Sequence, residues 1–167
     1  MKWVFIVLAG CLGTWYFLVG SRYISEADVR AQYQNEANWL DEGQYAMICA
    51  AFDAQYVGHI ASVTAAGRLL EDTNKAQSCV AIEAFVTSLK KLNDKVGGGV
   101  VTNSDVVLEK VEISADRRTA TVTVRSQVRV GTEKVLMMKM TTESTDTLIK
   151  RHGTVYRLRA EGKTLLQ

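Results

Sequence analysis

Three side chains suited to acid–base chemistry stand close together in the first half of the chain. Asp53, Tyr56 and His59 fall at a predicted junction between a helix and a strand. A carboxylate or imidazole facing a dry pocket can act as a general base, and a tyrosine hydroxyl can stabilise an oxyanion. The odd separation of Tyr56 and His59 places them on opposite faces of a strand unless Gly58 forms a bulge. A surface histidine beside a packed tyrosine is the competing interpretation.

Asp146 is a second candidate acid, in the second half of the chain. It has the same parity as Met138, Met140 and Leu148, so an alternating strand would place its carboxylate on an apolar face. An ionisable group in apolar surroundings is a candidate for function. The competing interpretation is that twist and a bulge carry Asp146 to the rim of the sheet.

The histidines and cysteines of the chain do not have the spacing of a metal-binding or cofactor-binding site. His59 and His152 are distant from any cysteine cluster, and Cys11, Cys49 and Cys79 form no C-x-x-C pair. Zinc sites built from these residue types need such local pairs. We therefore expect no metal and no cofactor.

The element that must position these candidates is a long strand, 118–130. Its even positions are mostly apolar and its odd positions polar, which predicts one buried and one exposed face. Arginines on its polar face, and two more on a later strand, predict a mildly basic outer surface that could bind a partner. These residues are Arg125, Arg129, Arg157 and Arg159.

Helices and further strands flank this strand. Ser25 with Asp28, and Asn74 with Gln77, have the spacing of capping boxes and predict two helix starts. In chain order we predict helices over 25–40 and 44–52, strands over 55–65 and 68–72, a helix over 75–95, and strands over 105–113, 118–130, 134–150 and 155–161. This order predicts an α+β domain with helices on one face of an antiparallel sheet.

An uncharged apolar segment, residues 3–20, precedes these elements. As a helix it would reach about 27 Å, just enough to cross the core of a bilayer. It is interpreted as an uncleaved signal-anchor, a cleaved secretory signal, or a lipoprotein signal ending at Cys11. Each interpretation separates an anchor or signal, 1–22, from an extracytoplasmic domain, 23–167. We expect a single-pass protein of the bacterial inner membrane, with its domain in the periplasm or outside the cell.

The predicted location and the composition narrow the classes of partner. A net charge of +2 over 167 residues is too small to indicate nucleic-acid binding. The membrane is the expected partner of residues 3–20. An extracytoplasmic address permits disulfides, so Cys49 and Cys79 are a candidate pair, with two buried free thiols as the alternative.

Two segments resemble the NTF2-like superfamily, which includes SnoaL-like and ketosteroid-isomerase-like proteins. They are ISADRRTATV at 113–122 and STDTLIKRHG at 144–153, and the order of predicted elements over 25–162 is similar as well. The second segment is similar to the hairpin motif s-x-D-x-h-h-R-R-D-G-x-W. The tryptophan of that motif is absent, so Val155 or Tyr156 must fill its space. The resemblance implies a cone-shaped domain in which a curved sheet wraps the long helix and leaves a pocket at the wide end.

The resemblance also implies where a ligand would bind. Related enzymes place acids in the pocket, and here Asp53 is present, but Gln55 and Tyr56 stand where an acid on the first strand is expected. The residues expected to bind a ligand are Tyr33, Tyr56, Phe85, Met138 and Met140. The catalytic candidates are Asp53, His59 and Asp146. Plain core packing is the competing interpretation for the methionines.

Two functions are consistent with these expectations. The favoured one is a non-catalytic, membrane-tethered module that binds a protein partner of an envelope assembly, or a second copy of itself, through the outer face of the sheet. The alternative is a small-molecule or lipid-binding pocket protein with isomerase- or dehydratase-like activity. An open pocket with a polar base would favour the alternative, whereas a pocket plugged by Met138, Phe85 and Tyr33 would favour the module.

Overall fold

The computed structural model describes residues 20–64 and 67–167. After a short 3₁₀ turn, the helices are α1 (Glu26–Asp41), α2 (Tyr45–Ala50) and α3 (Lys75–Lys95). The strands are β1 (Phe52–Thr64), β2 (Gly67–Asn74), β3 (Val101–Ile113), β4 (Thr119–Gly131), β5 (Leu136–Arg151) and β6 (Thr154–Leu166). The predicted order of elements and the α+β class are confirmed.

Local hydrogen bonds fix the starts of the two longer helices where the sequence predicts them. The backbone N–H of Asp28 donates to the Ser25 hydroxyl at 3.2 Å, and the Ser25 N–H donates back to the Asp28 carboxylate at 2.9 Å. Asn74 and Gln77 form the same reciprocal pair at the start of α3. The middle helix α2 is shorter than predicted, because Phe52 already belongs to β1.

The six strands form one curved sheet in the order β2-β1-β6-β5-β4-β3. Neighbouring strands are antiparallel at every position except one, since β1 and β6 run parallel. The prediction of a wholly antiparallel sheet is therefore wrong at this pair. Parallel neighbours need a long crossover, and the chain between β1 and β6, which contains α3 and four strands, supplies it.

The principal core lies between α1 and the inner face of the sheet. Val29 and Tyr33 of α1 are buried together with Val122 and Val124 of β4 and Leu148 of β5. A second cluster, built on Ile48, Phe52, Tyr56 and Ala160, packs with Cys79 and Ile82 of the long helix. The long helix α3 lies over α2, β1 and β2. Of its residues only Val86 is buried, so α3 leaves a space between itself and the sheet.

The first described residues lie against the ends of two hairpins. The Gly153 N–H donates to the Ser21 carbonyl at 2.8 Å, and the Ile24 N–H donates to the Arg117 carbonyl at 2.8 Å. Nearly all of the predicted membrane segment, 3–20, lies outside the described residues. No helix among those described is long and apolar enough to cross a membrane. The anchor and the division at residue 23 stay predictions.

Candidate functional site

A cavity of about 490 Å³ lies between the inner face of the sheet, α1 and α3. Most of its wall is apolar, because the strands turn alternate side chains inward and the helices face them with their apolar sides. Wall residues include Ile48, Phe52, Ile82, Phe85, Val128 and Met140. The volume and the character of the wall are those of small-molecule sites.

Four polar side chains form the floor of this cavity, and we call them the floor network: Tyr33, Glu36, Asp146 and Arg157. The Tyr33 hydroxyl donates to Asp146 Oδ2 at 2.6 Å. Arg157 Nη2 donates to Glu36 Oε2 at 2.6 Å. Arg157 Nε lies 3.0 Å from Asp146 Oδ2 as an ion pair, without the alignment of a hydrogen bond.

The floor network is removed from solvent. The side chain of Arg157 is 15% exposed and that of Glu36 is 12% exposed. Asp146, at 2%, is among the most deeply buried residues described. It pairs with Val122 across the sheet, so it lies on the inner face that its parity predicts and not at the rim.

A β-bulge turns Arg157 into the cavity. Thr147 pairs with Arg159 and Leu148 pairs with Arg157, so Leu158 is an extra residue in β6. An extra residue shifts the alternation of side chains along a strand. Arg157 therefore points inward, whereas Arg159 stays on the outer face with 54% of its side chain exposed. The prediction that placed Arg157 on the outer face is wrong for this reason.

The surroundings of the floor network shift the pKa of two of its members, Tyr33 and Arg157. Burial by itself would lower the pKa of Arg157, but the carboxylates of Glu36 and Asp146 hold it well above its usual value. Burial raises the pKa of Tyr33 above its usual range, against the opposing effect of Arg157. The guanidinium is therefore charged and the phenol protonated, which is the form in which Tyr33 donates to Asp146.

Two buried atoms of the floor network have no hydrogen-bond partner among the described residues: Asp146 Oδ1, and Arg157 Nε, which lies in the ion pair with Asp146 Oδ2. Leaving a buried acceptor unpaired costs roughly 1–3 kcal/mol, and more when the acceptor is charged. Asp146 Oδ1 is therefore a candidate acceptor, and Arg157 Nε a candidate donor, for a molecule that enters the cavity.

Two of the three predicted catalytic residues lie outside the cavity. Asp53 is buried, accepts a hydrogen bond from the Gln55 N–H at 2.9 Å and pairs with Arg151 at 3.0 Å. His59 Nδ1 lies 2.6 Å from Asp72 Oδ1 across β1 and β2. Asp146 is the predicted acid that the fold brings to the cavity. In the described part of the chain, no cluster of three or more histidine, cysteine or acidic residues could hold a metal.

Most of the predicted ligand-binding residues meet at the cavity. Tyr33, Tyr56, Phe85 and Met140 line it, whereas Met138 does not, because it pairs with Val130 nearer the end of the sheet. Sequence reasoning missed Glu36 and Arg157. Glu36 follows Tyr33 by one helical turn, so its place beside the apolar stripe of α1 was a usable signal. No sequence signal pointed to Arg157, because the bulge in β6 reverses the face that simple alternation predicts for it.

A disulfide joins the two helices beside the cavity. Cys49 of α2 is bonded to Cys79 of α3, with Cα atoms 5.4 Å apart. Ile48 and Ser78, the neighbours of these cysteines, line the cavity. The bond therefore holds α3 in place as part of the cavity wall.

A scan against protein-family models gives no match, and no curated protein is significantly similar in sequence. Solved structures share the fold. ActVI-ORFA from Streptomyces coelicolor superposes with a TM-score of 0.61 and 14% identity over 83% of this chain and 95% of that one. A putative scytalone dehydratase from Novosphingobium aromaticivorans gives 0.58 and 14% identity over 83% of this chain and 82% of that one.

The beta subunit of benzoate 1,2-dioxygenase from Burkholderia mallei is similar as well, with a TM-score of 0.57 and 17% identity over 86% of this chain and 91% of that one. The three names include a putative dehydratase and a subunit of a dioxygenase, so the fold by itself does not select an activity. At these identities the likeness is one of fold. The chain has the α+β architecture, with a curved six-stranded sheet and a long helix, that the resemblance to NTF2-like proteins predicts.

Proposed function

We propose that the cavity binds a small, largely apolar molecule with a polar group at one end. The observation that carries this proposal is an open volume of about 490 Å³ with apolar walls and the floor network at its base. Protein interiors are normally packed to the density of organic crystals, and buried polar groups are normally paired. This cavity is neither closely packed nor fully paired in its polar groups. Both features would destabilise the fold, so we take them as signs of a binding site for a ligand.

The same observation supports the pocket protein as the better of the two functions that the sequence predicts. The base of the cavity is polar, and Tyr33 and Phe85 line the space without filling it. These are the features that favour the pocket protein. Binding in an envelope assembly stays a prediction, as does attachment to the membrane.

Isomerase- or dehydratase-like activity is a second candidate, favoured by the unpaired carboxylate oxygen of Asp146. Asp53 and His59 do not line the cavity. Of the three predicted catalytic residues, Asp146 is therefore the one placed to act as general base on a molecule bound there, with the Tyr33 hydroxyl beside it. An enzyme of this kind would lose its activity in Asp146→Asn and keep it in Asp53→Asn.

A cavity-filling variant tests the binding function. Ser126 of β4 lines the cavity, whereas Gln127, the next residue, faces outward. We expect the neutral dye N-phenylnaphthylamine to fluoresce saturably with the full-length protein. Ser126→Phe should weaken this binding about tenfold or more, because a phenyl ring occupies part of the volume, and each tenfold corresponds to about 1.4 kcal/mol.

Gln127→Phe is the matched control, because it adds the same ring to the other face of the same strand. It should bind the dye as the wild type does. Equal loss in both variants would point to a general effect of the added ring. Dye binding that Ser126→Phe leaves unchanged, or no saturable binding in the wild type, would overturn the proposal.

A further inference from the structure

The floor network contains more negative than positive charge. Glu36 and Asp146 contribute two carboxylates, and Arg157 is the guanidinium that both of them contact. Glu71, a third carboxylate, also lines the cavity, and its side chain is on an exposed part of β2. A buried carboxylate without full compensation is costly, because a low-dielectric interior does not screen its charge.

Two cations outside the floor network, Lys75 and Arg151, already have partners. Lys75 Nζ donates to the Phe52 carbonyl at 2.6 Å, and neither Lys75 nor Arg151 lines the cavity. Arg151 pairs with Asp53 at 3.0 Å. Among the cavity-lining residues described, Arg157 is the sole basic side chain. A positively charged group on the bound molecule would neutralise the excess negative charge of the floor network.

Aromatic rings next to the floor network also favour a cation. The Arg157 guanidinium lies 5.3 Å from the centre of the Tyr33 ring and 5.7 Å from that of Phe52. Tyr56 stacks on Phe52, with ring centres 4.4 Å apart, and both line the cavity. The faces of such rings attract organic cations. Arg157 already contacts the Tyr33 and Phe52 rings, so of these three rings it is Tyr56 that is left to attract a cation of the ligand.

From these three observations we infer that the ligand is an amphipathic amine. Its apolar body lies against the cavity wall, and its ammonium group donates a hydrogen bond to Asp146 Oδ1. This inference rests on the proposed function and deepens it by naming the class of ligand. A carboxylate-bearing molecule such as a fatty acid is disfavoured, because its head group would meet the carboxylates of Asp146, Glu36 and Glu71.

A matched series of head groups on one body tests the inference. The probes are naphthylmethylamine, naphthylmethanol and naphthoic acid, all substituted at the same ring carbon and titrated calorimetrically into the full-length protein. The amine should bind about tenfold more tightly than the alcohol, since both head groups can donate to the carboxylate but the ammonium adds the attraction of opposite charges. The acid should bind most weakly.

Asp146→Asn and Asp53→Asn are the paired variants. Both remove one buried carboxylate that contacts an arginine, but Asp146 lines the cavity and Asp53 does not. Asp146→Asn should abolish the advantage of the amine over the alcohol, so that the two probes bind within about twofold of each other. Asp53→Asn should keep the wild-type order of the three probes.

The series separates failure of the inference from failure of the proposed function. Equal binding of amine and alcohol, or tighter binding of the acid, would overturn the inference and leave a cavity that binds small molecules. Binding of none of the three would overturn both. The wild-type series alone decides these outcomes, so the test does not depend on whether either variant folds.

Discussion

Arg157 and Arg159 stand two residues apart on β6 and have opposite surroundings. Arg157 contacts Glu36 and Asp146 with 15% of its side chain exposed. Arg159 pairs with Glu161 in the open, with 54% of its side chain exposed. The bulge at Leu158 makes the difference, because it shifts the alternation by one position. The two arginines therefore provide an internal comparison between a buried and an exposed ion pair.

We predict that Arg157→Met destabilises the protein by about 3–5 kcal/mol, because it leaves the buried Asp146 and the largely buried Glu36 without their cation. Arg159→Met, the control on the same strand, should cost at most about 1 kcal/mol, since exposed ion pairs are weak. Urea unfolding of both variants measures the two losses. Similar losses would show that the floor network does not depend on Arg157.

At the scale of elements, α1 is fastened at its first turn to the hairpin between β5 and β6. Asp28 closes the capping box with Ser25 and also lies 2.8 Å from Lys150 Nζ. Partial burial raises the pKa of Asp28, but the hydrogen bonds from Lys150 and Ser25 outweigh it and leave the pKa below 3.8. The charged form of this carboxyl is therefore the one that stabilises the fold.

The sign of this effect sets a pH-dependent prediction. A carboxyl group whose pKa is lower in the folded protein adds stability above its unfolded pKa, and this stability is lost as the pH falls through the folded pKa. Asp28→Asn should therefore cost roughly 1 kcal/mol at neutral pH, and the difference from wild type should shrink below about pH 4. Urea unfolding at several pH values measures it.

Glu133→Gln is the control for this series, because Glu133 is an exposed carboxylate in the turn between β4 and β5. Its stability difference from wild type should stay flat across the same pH range. A constant difference for Asp28→Asn as well would mean that helix capping, and not the charge of the carboxylate, accounts for the loss.

The disulfide between α2 and α3 is the second element-scale feature that can be tested. The two cysteines are 30 residues apart in the sequence. Since α3 has only one buried residue, Val86, the bond is an important part of what holds this helix to the domain. Removing the bond with Cys49→Ser and Cys79→Ser together should cost roughly 3–4 kcal/mol, because the unfolded chain regains the entropy of the open loop.

Urea unfolding with and without reductant measures the contribution of this bond. The wild type should become less stable in reductant, and the double serine variant should not respond to it. A wild type that is equally stable in both conditions would show that the bond contributes nothing to the free energy of unfolding.

At the scale of the whole molecule, the segment before α1 holds two hairpins together. Ser21 accepts a hydrogen bond from Gly153 in the β5–β6 hairpin, and Ile24 donates one to Arg117 in the β3–β4 hairpin. The side chain of Ile24 is fully buried in the principal core. The domain thus uses residues on both sides of the predicted boundary at residue 23.

We predict that a chain starting at residue 20 unfolds cooperatively and that a chain starting at residue 26 is less stable by roughly 2–5 kcal/mol. This loss of roughly 2–5 kcal/mol is the usual effect of removing one large buried aliphatic side chain, here that of Ile24. Thermal and urea unfolding of the two chains measure the difference. Equal stability would mean that the segment adds nothing to the fold, and failure of the longer chain to fold would mean that residues before 20 are needed.

The sequence by itself determined the features that depend on short separations along the chain. The capping residues Ser25 and Asn74 bond to groups three residues away, so they mark the starts of α1 and α3 without reference to the rest of the molecule. The alternation over 118–130 is likewise local, and it assigned the inner face of β4. The α+β fold class, the order of the helices and strands, and the inward position of Asp146 all follow from such local patterns.

The tertiary structure alone decided the composition of the cavity floor. Glu36 and Arg157 are separated by 121 residues and meet because α1 packs against β3 and β6 of the sheet. A bulge, whose place depends on pairing with a neighbouring strand, turned Arg157 away from the face that its parity predicted. Non-local pairing sets both features, and no local pattern in the sequence records it.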